Sequence, residues 1–404
     1  MMNENIQARM AEATRLTQEG RLNEATALIQ GALGKNGPSA GSGPGADGFN
    51  APIDVTSRLV GGAQQGPAAP WQGSGLGTGL GPDLFQTSPN LRTRGVQHPP
   101  GSPFAKTAGA ANAGDDERFF TRSYSGAAGA RSYKLYVPEG YTGEPVPLVV
   151  MLHGCTQDPD DFAAGTRMNA LAEEHGFLVA YPAQSGSANM QKCWNWFQAA
   201  DQQRGQGEPS IIAGITQQVI EDYEVDEGRV YVAGMSAGGA MAAIMGACYP
   251  DLYAAVGVHS GLAPGSAHDM PSAFTAMRQS NPGAPVPEAG SNGRAGIPPT
   301  VIFHGDRDGT VHPRNGDRLL AQLTASDGSA LKVSTRQGRV PDGHAFTRIS
   351  YKDRAGRSVV ERWNVHGLGH AWSGGAPGGS YTDPAGPDAS AEMVRFFAEH
   401  ACGD

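Results

Sequence analysis

The sequence predicts an α/β fold, a mostly parallel sheet with helices on both faces, spanning residues 117–404. Three observations predict it. From Arg118 onward, short apolar runs alternate with helix-competent stretches, the pattern of strands wound with helices. One such run, Arg229 to Ala233, leads into Gly234-Met235-Ser236-Ala237-Gly238, and a small-residue stretch, Gly239 to Cys248, leaves it. Residues 34–116, by contrast, are so rich in Gly, Pro, Ala and Ser that they cannot bury enough apolar area to offset chain entropy.

Residues 1–33 read as a helical hairpin. Ile6, Met10, Ala13 and Thr17 share one face of a first helix. Leu22, Ala25, Leu28, Ile29 and Ala32 share one face of a second, with Gly20-Arg21 between. A lone hairpin cannot bury its own apolar face, so it implies docking on the rest of the chain, a second copy or a protein partner for residues 4–33. The bland reading is a weakly helical extension. Residues 34–116 read as a disordered linker.

In the α/β region Tyr133 to Val137 alternates like an early strand, and Leu148 to Leu152 and Phe177 to Ala180 read as buried strands. Ser210 is expected to cap a helix whose Ile211, Ile212, Ile215 and Val219 face the sheet. The strand entering Ser236 comes next, then Ala254 to Val258 and Thr300 to Phe303. His344 to Tyr351 and Ser358 to Val365 form a hairpin turned by Asp353 to Gly356. A last helix, Ala389 to Ala398, follows Asp388 as its cap. The stretch 262–298 is a Gly/Pro/Ser/Ala-rich insertion carrying Met270, Phe274 and Met277, read either as a pocket wall or as a surface loop.

Gly-x-Ser-x-Gly between a strand and a helix presents a serine at a strained turn, where the glycines avoid collisions. A serine nucleophile needs a histidine to take its proton, an acid to orient that histidine, and donors for the oxyanion. Candidates occur at the ends of predicted strands. The base is His370, in the glycine-rich loop Gly367 to Gly375, with His366 as competitor. The acid is Asp308, with Asp306 as runner-up and more suited to bracing its own loop. The oxyanion donors are the N–H groups of Ala237 and of Cys155, in the loop after Leu152. Trp194, Trp196 and Trp372 are candidates to line a cleft, with plain packing as the alternative.

His153-Gly-Cys-Thr-Gln157, Cys193-Trp-Asn-Trp196, Gly234-Met-Ser-Ala-Gly-Gly239, His304-Gly-Asp-Arg-Asp308 and Gly369-His-Ala-Trp372 together resemble the polyhydroxybutyrate depolymerase family of esterases, which includes feruloyl and acetylxylan esterases. The resemblance covers residues 117–400. It implies an α/β-hydrolase fold, hydrolysis of carboxylic esters through an acyl-enzyme, and no cofactor. By motif it implies a triad of Ser236, Asp308 and His370, with Cys155 and Ala237 at the oxyanion hole. The implied substrates are a hydroxyalkanoate polyester or oligomer, a short-chain ester, or a feruloyl or acetyl ester of plant polysaccharide. The chain ends just past its last helix, so a soluble ester or oligomer is expected over solid granules. An adaptor role through residues 4–33, and cleavage of peptides by the same triad, are the competing functions.

Composition excludes other classes. A net charge of −9 argues against nucleic acid or an anionic membrane as partner. No apolar run is long enough to span a bilayer. The polar start lacks a signal-peptide pattern. The resembled family is commonly extracellular, so an extracellular and a cytoplasmic address both stay open. Cys155, Cys193, Cys248 and Cys402 are too few for a disulfide framework, though Cys155 and Cys193 are placed to pair or to remain buried thiols. No metal-ligand spacing occurs.

Overall fold

The computed structural model describes residues 118–279, 298–326 and 331–401. The expected hairpin at 1–33, its protein partner, the linker at 34–116, Cys402 and part of the 262–298 insertion lie outside the described residues.

Ten strands form one sheet. They are β1 (Phe119–Gly126), β2 (Gly129–Tyr136), β3 (Val146–Leu152), β4 (Leu178–Pro182), β5 (Val225–Met235), β6 (Ala255–His259), β7 (Thr300–Gly305), β8 (Lys332–Arg339), β9 (Ala345–Lys352) and β10 (Ser358–His366). Their spatial order is β1-β2-β4-β3-β5-β6-β7-β10-β9-β8. The central run from β4 to β10 is parallel, and each edge carries antiparallel strands. This is the expected α/β arrangement. A short pair, β11 (Trp372–Ser373) and β12 (Thr382–Asp383), stands apart.

The period of two along a strand divides the core into two layers. Leu148, Val150 and Leu152 of β3 face one side with Val230 and Val232 of β5; helices α3 (Gly207–Asp222) and α4 (Ala237–Cys248) cover them through Ile211, Ile212, Ile215, Met241 and Ile244. Val149 and Met151 face the other side with Tyr231 and Ala233. There α1 (Pro159–Thr166), α2 (Met168–His175) and α7 (Ala389–Ala398) bring Phe162, Met168, Ala172, Met393, Phe396 and Phe397. Helices α5 (Met270–Gln279) and α6 (Arg314–Ser326) flank the acid-bearing loop.

Capping went as expected at one helix and not at another. Asp388 accepts from the Ala391 N–H at 3.0 Å and starts α7. Ser210 does not cap α3. The helix begins at Gly207, the N–H of Glu208 is taken by Asp201 at 2.7 Å, and the Ser210 hydroxyl donates to the Gly207 carbonyl. The cap comes from outside the helix, from a residue six positions before its start, so the local pattern pointed at the wrong hydroxyl.

Candidate active site

Strand β5 delivers Ser236 to the end of the parallel sheet, where such sheets bind ligands. Ser236 has φ 56° and ψ −118°, a backbone strained for a residue with a side chain. Its N–H donates to the His259 carbonyl at 2.9 Å, and its own carbonyl accepts from Ala240 at 2.9 Å. The flanking glycines are required. A Cβ at Gly238 would lie 2.0 Å from the Leu152 carbonyl oxygen, and one at Gly234 would lie 2.4 Å from the Gly238 oxygen. β3 and the start of α4 approach so closely only because neither residue has a side chain.

His259, beneath the serine, is fully buried between Phe303 and Trp372, with ring centroids 5.8 and 4.9 Å away. Its Nε2 accepts from the Ser373 N–H at 3.0 Å. Burial, aided by nearby His304 and His370, drives its pKa well down and keeps it neutral.

The loop after β7 carries both candidate acids, and the structure separates their partners. Asp308 Oδ1 accepts from the N–H groups of Thr310 and Val311 at 2.9 and 2.8 Å. Its Oδ2 accepts from His370 Nδ1 at 2.7 Å. Asp306 instead binds His366 Nδ1 at 2.9 Å and the Gly367 N–H at 2.7 Å. It thus ties its loop to the end of β10, a brace between two loops and not within its own. Burial alone would raise the Asp308 pKa, but the hydrogen bonds from His304 and His370 outweigh it and hold the carboxyl far below the usual range.

His304 is a member of this group that the sequence reading passed over. It is buried, its Nε2–H points at the Val311 carbonyl at 2.8 Å, and Asp308 Oδ2 lies 3.4 Å from the same nitrogen. Its Nδ1 is buried without a hydrogen-bond partner. Burial lowers its pKa, the neighbouring Arg362 charge adds to this, and the Asp308 contact opposes it. The available signal was its place one residue before a glycine at the end of a buried strand.

The loop after β3 closes the far side. His153 Nδ1 donates to the Gly154 carbonyl at 2.8 Å, and its Nε2 accepts from the Gln184 N–H at 3.1 Å. The Gly154 N–H donates to Gln157 Oε1 at 2.9 Å. Cys155 is joined to Cys193 by a disulfide, which ties this loop to the Trp194/Trp196 segment. Among the described residues, no hydrogen bond consumes the N–H groups of Cys155 and Ala237.

Gly154, Cys155, Gln157, Met235, Ser236, Met277, Thr310, His370 and Tyr381 line one cavity of about 260 Å³. Ser236 and His370 thus share it with Cys155, one of the two expected oxyanion residues, while Ala237 follows Ser236 without lining it; no hydrogen bond joins Ser236 to His370. Of the insertion residues, Met277 reaches the cavity, while Met270 and Phe274 stay exposed. The tryptophan expectation is corrected. Trp194, Trp196 and Trp372 are all buried and none lines the cavity. Trp194 packs against His153, Trp196 against Phe197, and Trp372 against Phe162 while donating to Ser390 Oγ. The aromatic residue at the cavity is Tyr381.

The described residues contain no cluster of His, Cys, Asp and Glu able to hold a metal ion, and no helix long and apolar enough to cross a membrane.

Residues 131–340 match the sequence profile described as Esterase PHB depolymerase. The chain belongs to the PHB depolymerase esterase family. Among its relatives, the poly(3-hydroxyalkanoate) depolymerase C of Paucimonas lemoignei is 36% identical over 58% of this chain and 57% of that protein. Feruloyl esterase B of Neurospora crassa is 31% identical over 58% of this chain and 81% of that protein. The chain thus spans little more than half of the depolymerase it matches. An acetyl xylan esterase from Aspergillus awamori, 23% identical, superposes with a TM-score of 0.54 over 69% of this chain and 99% of that one. That likeness confirms the α/β-hydrolase fold.

Proposed function

We propose that this family member is a serine carboxylic-ester hydrolase with Ser236 as nucleophile, His370 as base and Asp308 as its orienting acid. The observation that carries the reading is the shared cavity: Ser236 and His370 line it together, and His370 is bonded through Nδ1 to a buried carboxylate. With Nδ1–H held by Asp308, Nε2 is the basic nitrogen that faces outward. It takes the Ser236 proton as Oγ attacks the ester carbonyl. The oxyanion receives the N–H groups of Cys155 and Ala237, each such donor being worth about 3 kcal/mol. The proton on Nε2 then passes to the leaving alcohol oxygen. Water, deprotonated by the same nitrogen, releases the acid from the acyl-enzyme.

The cavity is small, and Met235 and Met277 make it partly apolar. This favours short acyl groups, including the units of a hydroxyalkanoate oligomer. An acetyl ester on plant polysaccharide is the second reading, favoured by the same small volume and by the half-exposed ring of Tyr381 at the site. Burial of the tryptophans removes them as cleft-lining surfaces for any of these substrates.

The test is hydrolysis of p-nitrophenyl acetate and butyrate, methyl ferulate, acetylated xylan and a hydroxybutyrate oligomer by wild type and Ser236→Ala. Ser236→Ala should lose about 10⁶-fold in kcat with its thermal melt unchanged. A variant that keeps the wild-type rate would remove Ser236 from the role. The ranking of substrates separates the oligomer reading from the polysaccharide one.

A further inference from the structure

Tyr381 is the half-exposed aromatic at the cavity, and it is held there at a cost. Its φ is +52°, in the left-handed region that a bulky side chain seldom adopts. Such strain persists only where surrounding contacts enforce it. Here they are visible. The neighbouring Ser380 donates through its N–H and its hydroxyl to the two oxygens of Asp161 at 2.8 and 2.6 Å. Gln157 Nε2 donates to Asp161 at 2.8 Å and to the Ser380 carbonyl at 3.2 Å. The Tyr381 carbonyl accepts from the Trp372 N–H at 2.6 Å.

Beside it stands a second residue with positive φ, Thr156, at +66°. Its hydroxyl proton goes to the Cys155 carbonyl at 2.6 Å, so in the 3.2 Å contact between the two side chains Tyr381 is the donor. Two strained residues from loops far apart in the chain therefore meet through their hydroxyls, one beside the Cys155 N–H and the other edge-on to His370 at 6.5 Å.

We infer that Tyr381, clasped by Thr156, is a specificity-determining residue that bounds the alcohol side of the ester site. The inference rests on the esterase reading above. His370 must hand its proton to the alcohol oxygen, so the alcohol portion lies against His370, where the Tyr381 ring stands. Thr310, in the acid loop, and Met277, whose carbonyl accepts from the His312 N–H at 2.8 Å, also line the cavity and are left to the acyl portion.

The test compares two substrate series, acetates of progressively larger alcohols and p-nitrophenyl esters of progressively longer acids. Tyr381→Gly removes the ring and suits the left-handed backbone, so it should fold, with a melting temperature no lower than wild type. It should raise kcat/KM for bulky-alcohol acetates relative to methyl acetate by about tenfold. The acyl ranking should not move. Tyr381→Phe keeps the ring, releases the clasp and should shift the alcohol ranking by a smaller factor in the same direction. An alcohol ranking unmoved by Tyr381→Gly, or an equal shift in both series, would overturn the inference while leaving the esterase intact. Absence of hydrolysis dependent on Ser236 in wild type would overturn the esterase reading and this inference with it.

Discussion

Two aspartate–histidine pairs leave the ends of neighbouring strands β7 and β10. Asp308–His370 and Asp306–His366 use the same atoms, Oδ2 and Nδ1, at 2.7 and 2.9 Å. They differ in surroundings. The Asp308 side chain has no solvent exposure and that of His370 has 12%, whereas Asp306 and His366 are 46% and 45% exposed. Only the first pair opens onto the cavity that holds Ser236. A hydrogen bond of the right kind is therefore not what distinguishes a charge-orienting pair from a loop brace. Water in the outer pair screens the charge, and the inner pair keeps it.

Substituting each acid gives the widest separation. Asp308→Asn should lower kcat by about 10⁴-fold, because the amide no longer fixes the Nδ1–H tautomer or balances the imidazolium. Asp306→Asn should change kcat by no more than about twofold, as expected of an exposed pair. Steady-state kinetics on one short ester decides it. Equal losses would show that the two pairs work as one unit, and a reversed order would exchange their roles.

Much of this contrast was legible in the sequence, and the reason is local. Gly234 is forced by the Gly238 carbonyl within the strand-to-helix turn and Gly238 by the carbonyls of Leu152 and His153 at the end of β3, yet both needs are written in the spacing of the two glycines around Ser236. The choice of Asp308 over Asp306 rests on the His-Gly-x-x-Asp-x-x-Val motif of the resembled fold at residues 304–311, and Asp308 is the one bonded to His370. What stayed hidden depends on pairs distant in sequence. Thr156 meets Tyr381 across 225 positions, and nothing near either residue announces it. Trp194 and Trp372 carry the same composition signal whether they line a cleft or fill a core, and here they fill it. Ser210 lost the cap to Asp201 for the same reason, since the competing contact came from outside the helix.

A second histidine marks the inner pair, and removing it should cost less than removing the acid. His304→Ala takes one donor from the Asp308–Val311 turn. A hydrogen bond to a charged group is worth about 2 kcal/mol, or about 30-fold in kcat, with KM unmoved. His304→Gln, which can still donate near the Nε2 position, should recover most of the loss. A general weakening of the fold would lower the melting temperature of both variants and would not separate kcat from KM. His366→Ala, in the outer pair, should stay within about 0.5 kcal/mol in stability.

A last contrast concerns pH and separates the inner site's histidines from its acid. Burial lowers the pKa values of His153, His259 and His304, so each is neutral in the fold and binds a proton in the unfolded chain below about pH 6.5. Stability therefore falls as pH drops below that value, by about 1.4 kcal/mol per pH unit for each proton. Asp308 has the opposite sign. Its depressed pKa contributes stability that is complete above the usual aspartate range, near pH 3.9, and is lost only as pH falls through the lower folded value. Between pH 6 and 5 the histidines thus supply a slope and Asp308 none. His304→Gln should reduce that slope, by at most one proton's worth, read as urea unfolding free energy at the two pH values. An unchanged slope would mean that His304 keeps its proton in the fold, and Asp308 would then balance a charged His304 instead of reserving its charge for His370.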